Sequence, residues 1–121
     1  MQLELLDELF SVCKVARVEQ IPFQEEFVFV GKTDGELSLV CRAAAVPEGC
    51  TEEAPGWRCF RVKGPLDFSL IGILSRLSSV LAQEKISVFA VSTFDTDYLL
   101  VREEALPRAK AALERAGYDF V

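Results

Sequence analysis

The sequence contains no histidine, and its four cysteines form no C-x-x-C pair. Histidine is the commonest general base in enzymes, so its absence removes Ser-His and Cys-His nucleophile arrangements. A structural zinc site normally uses closely spaced cysteine or histidine ligands. We therefore expect a protein that is not an enzyme, with no catalytic residues, no metal site and no cofactor.

Acidic residues outnumber basic ones: the chain has 19 Asp and Glu but 13 Lys and Arg, which gives a formal charge of −6. Nucleic-acid binding needs a basic patch, and none is visible, so we expect no nucleic-acid partner. The longest apolar stretch, residues 69–82, contains Arg76 and is too short to cross a bilayer. The first ten residues carry acids where a secretory signal would carry cations. These features predict a cytoplasmic protein that does not enter a membrane.

The cysteines lie mostly in apolar segments. Cys13, Cys41 and Cys59 each fall inside a strand-like run, where a reduced cysteine behaves as a small hydrophobic residue. Disulfides are rare in the cytoplasm. We therefore predict reduced, buried thiols.

The C-terminal half reads as strand, helix, strand, strand, helix, strand. The strands fall near residues 57–63, 88–93, 98–101 and 118–121, with an Asp-Thr-Asp link between the middle two. This order is the split βαβ, or ferredoxin-like, arrangement, and it predicts an α+β fold with an antiparallel sheet.

Two helices are predicted in this half. The first has an apolar face formed by Leu70, Leu74, Leu77 and Leu81, with Asp67 or Ser69 as its N-cap. The second, within residues 104–117, has Pro107 in its first turn and Gly117 at its C′ position.

The N-terminal half repeats part of this pattern. Residues 27–40, FVFVGKTDGELSLV, align with residues 88–101, VFAVSTFDTDYLLV, so that Glu36 stands opposite Asp97. After one residue is skipped, Pro47 falls on Pro107, and residues 11–17 match the first strand of the other half. The repeat predicts two tandem units: residues 1–55 form a degenerate unit that is mostly hairpin, and residues 56–121 form a complete one.

Two segments carry possible binding chemistry. At residues 64–69 a strand ends and a helix begins, so backbone N–H groups and the positive end of a helix dipole can receive a carboxylate, while Asp67 can receive an ammonium. A capped helix start with no ligand is the alternative. Residues 92–97 place hydroxyls and carboxylates at a strand end; they suit a polar ligand, a simple Asp/Thr turn, or Mg²⁺ held by Asp95 and Asp97.

The runs GWRCFRVKGPLDF at residues 56–68 and STFDTDYLLVRE at residues 92–103 resemble the ACT-domain family. Within that family they are similar to small bacterial tandem-ACT proteins whose second unit is a CASTOR-type ACT domain. GELSLVC at residues 35–41 resembles the matching hairpin of the first unit. The resemblance extends over nearly the whole chain.

The resemblance implies two ferredoxin-like, ACT-like units and a regulatory module, a homodimer that binds an amino acid at the interface between units. A protein-protein interaction or structural module without a small-molecule ligand is the alternative, with Trp57 or a sheet edge as the contact. Because Leu70 and Ile71 stand where arginine-sensing relatives have an acid, a smaller or more apolar amino acid is expected. The implied ligand-binding residues are Gly64, Pro65, Leu66, Asp67, Phe68, Ser69, Val91, Ser92, Thr93, Phe94 and Asp97.

Overall fold

The computed structural model describes residues 1–64, 66 and 70–121. The two predicted caps, Asp67 and Ser69, lie outside the described residues. By its contacts the chain divides into a unit formed by Met1–Asp7 with Arg58–Val121, here called the C-terminal unit, and a unit formed by Glu8–Trp57, here called the N-terminal unit. The contacts thus group the first seven residues with the C-terminal half, whereas the predicted domains run over residues 1–55 and 56–121.

Nine α-helices and β-strands, besides three short 3₁₀ helices, make up the regular structure of the described residues. In chain order they are β1 (Gln2–Lys14), β2 (Phe29–Lys32), β3 (Leu37–Arg42), β4 (Glu52–Val62), α1 (Ile73–Gln83), β5 (Val88–Ser92), β6 (Asp97–Arg102), α2 (Leu106–Arg115) and β7 (Asp119–Phe120). The long strands β1 and β4 contribute residues to both units. None of the helices in the described part of the chain has the length and hydrophobicity that a membrane span requires.

The C-terminal unit has the predicted ferredoxin-like order, β4-α1-β5-β6-α2-β7, and the predicted α+β class is confirmed. Its strands lie in the order β1-β4-β6-β5, and β7 pairs with β1 in parallel, Gln2 beside Asp119. The sequence prediction placed the first strand of the chain at residues 11–17, so it missed the part of β1 that belongs to this sheet. In those residues acidic side chains interrupt the apolar alternation that normally reveals a strand.

The core of the C-terminal unit lies between α1, α2 and the sheet. Leu99, Leu100 and Val101 of β6 are fully buried, so both faces of this strand are covered, as its apolar sequence predicts. The buried residues of the helix-side cluster are Leu3, Phe60, Val62, Ile73, Leu77, Leu81, Ile86, Leu99, Val101, Ala105, Ala109 and Leu113.

Helix α1 begins later than its apolar spacing suggests. Its N-cap is Gly72 in the left-handed region, at φ 76°, and its buried face starts with Ile73 rather than Leu70. Leu70 is 52% exposed and Ile71 is 85% exposed, so the predicted start of the buried stripe is wrong. Helix α2 begins with Leu106 and Pro107, and Gly117 follows it at φ 100°, as predicted.

The β2–β3 and β5–β6 hairpins have the same internal geometry. Thr33 N–H donates to Glu36 O at 3.0 Å, and Thr93 N–H donates to Thr96 O at 2.8 Å. Opposite residues are Lys32 and Leu37 in one hairpin and Ser92 and Asp97 in the other. The hairpins therefore correspond at a constant shift of 60 positions. The predicted pairing of Glu36 with Asp97 was one residue out, because Glu36 corresponds to Thr96.

All four cysteines are free thiols, and three of them, Cys13, Cys41 and Cys59, are buried as predicted. Burial raises the pKa of Cys59 to about 12 and, with the neighbouring Cys41, that of Cys13 to about 12. These thiols therefore stay neutral near pH 7 and do not supply a nucleophilic thiolate.

Leu77→Ala tests the position of the α1 core face. Leu77 is fully buried, so the substitution is expected to lower the free energy of unfolding by about 2–5 kcal/mol through lost burial and a residual cavity. Leu70→Ala is the matched control and is expected to change it by less than about 0.5 kcal/mol. Urea denaturation measures both, and equal losses would contradict the later helix start.

Candidate functional site

The C-terminal unit has a cavity of about 320 Å³ between the start of α1 and the β5–β6 turn. Leu70, Gly72, Ile73, Leu74 and Ser75 border it from the helix side, and residues 93–97 border it from the hairpin. Leu66 completes the lining among the described residues. The cavity therefore joins a helix N-terminus to a turn rich in hydroxyls and carboxylates.

The start of α1 supplies backbone donors. Arg76 N–H makes the first intrahelical bond, to Gly72 O at 2.9 Å. The N–H groups of Ile73, Leu74 and Ser75 precede it and have no acceptor within the helix. Gly72 adds no side-chain cap to them. Because these three residues line the cavity, the positive end of the helix dipole lies at its wall and favours an anion.

The hairpin turn is fixed by the hydroxyls of two threonines. Thr93 Oγ1 donates to Thr96 O at 3.0 Å, and the buried Thr96 Oγ1 donates to Val62 O at 2.7 Å. The second bond attaches the turn to the end of β4. The turn is therefore held in one position relative to the strand that leads toward α1.

Two carboxylates give the cavity a negative side. Asp97 Oδ1 accepts a hydrogen bond from Ser92 Oγ at 2.6 Å, which leaves its other oxygen open to a ligand, and Asp95 is exposed at the turn. Of the described residues that line the cavity, none is basic. An ammonium group therefore finds a partner here, whereas a second carboxylate on the ligand would be repelled by these acids.

The end of β4 comes very close to the hairpin. Leu66 N–H donates to Asp95 O at 2.7 Å. A Cβ added to Gly64 would lie 3.0 Å from Leu66 N and 3.3 Å from Asp95 O. Only glycine fits this approach without movement. Gly64 itself borders a smaller cavity of about 220 Å³ beside Arg61 and Tyr98.

The predicted ligand residues divide into four groups. Leu66, Thr93, Phe94 and Asp97 line the larger cavity and Gly64 the smaller one, while Val91 and Ser92 line neither of the two. Val91 is half-buried opposite Tyr98 on β6, and Ser92 orients Asp97. Pro65, Asp67, Phe68 and Ser69 lie outside the described residues.

The sequence prediction missed the helix side of the cavity. Gly72, Ile73, Leu74 and Ser75 were treated as the interior of a helix beginning near residue 69, whereas α1 starts at Ile73. Gly72 was the available signal, because glycine often marks a left-handed backbone position. Thr96 was missed because nothing local to the turn indicates its bond to β4.

Two other features considered from the sequence are the Trp57 side chain and a metal site. Trp57 is 6% exposed and its Nε1 donates to Ala54 O at 2.9 Å, so it is a buried residue. Across residues 1–64, 66 and 70–121, no group of three or more His, Cys, Asp or Glu side chains is arranged to hold a metal ion.

Comparison with known proteins identifies the family. A family description for the ACT domain matches residues 52–115, and one for the N-terminal domain of a further family matches residues 8–49. The first match spans more than half of the chain. The protein belongs to the ACT-domain family.

The chain is also similar to individual proteins and solved structures. Over 60 residues the chain is 37% identical to the Homo sapiens protein named cytosolic arginine sensor for mTORC1 subunit 1, covering 49% of this chain but only 18% of that relative. The structure of protein Atu0741 from Agrobacterium tumefaciens is 35% identical, with a TM-score of 0.86 over 99% of this chain and 91% of the other. An aspartate kinase from Synechocystis shares the fold, with a TM-score of 0.70 over 99% of this chain and 27% of the kinase at 16% identity.

Gly64→Ala tests the close approach between β4 and the hairpin. The added methyl group must displace Leu66 or the Asp95 carbonyl, so we expect the free energy of unfolding to fall by about 1–3 kcal/mol. Gly35→Ala in the β2–β3 turn is the control, since nothing lies within 4 Å of its added Cβ. If thermal and urea unfolding show the same change for both variants, the close approach is absent.

Proposed function

We propose that this chain is a non-catalytic regulatory module that binds an amino acid in the cavity between α1 and the β5–β6 turn. The observation that carries the proposal is the pairing, in one cavity of about 320 Å³, of a helix N-terminus with the Asp97 carboxylate. An amino acid has a carboxylate and an ammonium on the same carbon, and these two walls offer a partner to each.

The lining also favours certain side chains. Leu66, Leu70, Ile73, Leu74 and Phe94 provide apolar surface. An apolar ligand side chain would remove this surface from water. The ligand is therefore a neutral amino acid with a small or apolar side chain, and the acids at the turn disfavour aspartate and glutamate.

Membership of the ACT family supports a regulatory role. The Homo sapiens relative is named as an arginine sensor, and this chain spans less than a fifth of its length. Leu70 lines the helix side of the cavity and Ile71 follows it in the chain, so the described residues of this side offer no acid to a cationic side chain. Arginine is thus not the ligand we propose for this chain.

The proposal includes two tandem ACT-like units and a cytoplasmic homodimer. The two hairpins, with their shared shift of 60 positions, support a duplicated unit. Strand β5 supports self-association. It is the last strand in the sheet order, next to β6, and its sequence VFAVS contains no charge or proline that would discourage pairing with another strand. A second copy can add its own β5 antiparallel to this edge.

Asp97→Asn tests the ammonium partner. Isothermal titration calorimetry of the wild-type protein against the twenty amino acids is expected to detect a neutral apolar ligand. Loss of a hydrogen bond to a charged group, about 1.5–3 kcal/mol, corresponds to roughly 10- to 100-fold weaker binding. Asp34→Asn, in the other hairpin, is expected to bind like the wild type. Absence of heat with every amino acid, or an unchanged affinity of Asp97→Asn, would refute the proposal.

Ala90→Lys tests the dimer. A charge in the middle of β5 is expected to shift the protein from dimer to monomer in light scattering coupled to size-exclusion chromatography. Val30→Lys is the matched control, because Val30 occupies the corresponding position of β2 at the shift of 60. A monomeric wild type, or equal dimer fractions in both variants, would exclude pairing through β5.

A protein-protein interaction module without a small ligand is the second candidate. Ile71 and Phe94 are 85% and 79% exposed beside the cavity and offer an apolar contact surface. Trp57 does not contribute to such a surface, because it is buried. A partner captured by the wild type, lost with Ile71→Ser and unaffected by any amino acid would favour this function.

A further inference from the structure

The N-terminal unit has a cavity of its own at the end of the β2–β3 hairpin. Its volume is about 440 Å³, and it is bordered by Lys14 at the end of β1, by Val15 and Ala16 after it, by Lys32 and the residues that follow it, and by Thr51. The cavity thus adjoins a hairpin end, as the cavity beside α1 does in the C-terminal unit.

The surrounding backbone is held in place by hydrogen bonds within the unit. Val15 N–H donates to Leu37 O at 3.1 Å, and Thr51 N–H donates to Lys14 O at 2.8 Å. Gln20 Oε1 accepts the N–H groups of Ala16 and Arg17, each at 3.0 Å. The segment after β1 is therefore hydrogen-bonded to β3 and to Thr51, and the Gln20 side chain fixes the backbone of residues 16 and 17.

The residue pair at the strand end carries a different charge in the two hairpins. Ser92 stands opposite Asp97 at the end of the β5–β6 hairpin, and the corresponding pair in the β2–β3 hairpin is Lys32 opposite Leu37. The acid that would receive an ammonium is replaced by an aliphatic side chain, and its serine partner is replaced by a cation. The N-terminal cavity is bordered by two lysines and one acid, Glu36.

The second lysine is available to a ligand. Lys14 Nζ lies 3.4 Å from Glu52 Oε2, and these side chains are 44% and 73% exposed. An ion pair this exposed is weak, because solvent screens it and both side chains lose entropy to form it. An anion in the cavity can therefore compete for the ammonium. Val15 and Leu37 supply apolar surface beside the two lysines.

We propose that the N-terminal cavity binds a small organic carboxylate that has an apolar body and no ammonium group. The lysines receive the carboxylate and Val15 and Leu37 contact the body. At the position that corresponds to Asp97, the aliphatic Leu37 offers an ammonium no partner. The chain then has two ligand sites that differ in the charge they accept. This site does not depend on binding at the α1 cavity.

Two probes that differ only at one carbon test the proposal. 4-Methyl-2-oxopentanoate and L-leucine share the same apolar body and carboxylate, but the first carries a ketone where the second carries an ammonium. Each is titrated into the ¹⁵N-labelled full chain, and the backbone amides are followed by NMR. The oxo acid is expected to shift the amides of Lys32, Thr33, Gly35 and Glu36 in a saturable manner, and L-leucine is expected to leave them unchanged.

Substitutions at Lys32 and Leu37 test whether this pair is responsible for oxo acid binding. Lys32→Gln is expected to weaken oxo acid binding by about two- to fivefold, the range for an exposed charge. Leu37→Asp, which restores the acid found at position 97, is expected to abolish it. Lys110→Gln on α2 is the matched control and is expected to bind like the wild type.

Three results would overturn the proposal. They are no shift of these amides with the oxo acid, equal shifts with L-leucine, and equal affinities of Lys32→Gln and the wild type. The amides of residues 93–97 report separately on the α1 cavity. Failure of either site is therefore distinguishable from failure of the other.

Discussion

The hydrogen bond from Thr96 Oγ1 to the Val62 carbonyl, 2.7 Å long, fixes the β5–β6 turn that borders the cavity of the C-terminal unit. It attaches the β5–β6 turn to β4, and the bond from Leu66 N–H to Asp95 O extends the attachment along the chain that leads to α1. These contacts need a glycine at position 64, because a side chain there would separate the strands. The hairpin wall of the cavity is therefore fixed to the end of β4.

The two hairpins show how one backbone frame can carry different chemistry. Their turns make the same hydrogen bond, yet the facing pair at the strand end is Ser92 with Asp97 in one and Lys32 with Leu37 in the other. Backbone hydrogen bonds set the frame and do not involve these side chains, whereas the facing pair contributes to the charge of each cavity. Two hairpins of the same backbone geometry can therefore carry different side-chain chemistry.

The sequence predicts most of the element order but less of the site. Apolar runs and turn residues locate β5, β6 and α2, since Pro107 and Gly117 mark the ends of that helix locally. The start of α1 was misplaced because Leu70 and Ile71 continue an apolar pattern that does not reveal exposure. The repeat was misaligned because Asp34 and Asp95 look equivalent by residue type, while Thr33 and Thr93 determine the register through their bonds. Contacts between distant segments, such as Thr96 with Val62, leave no local pattern.

The uneven burial of the cysteines has a practical consequence. Cys13, Cys41 and Cys59 are enclosed, whereas Cys50 is only partly covered and directly precedes Thr51 at the edge of the N-terminal cavity. A maleimide fluorophore would react first at Cys50, with no engineered residue. Its emission would then report from beside the lysine-lined cavity in the natural sequence.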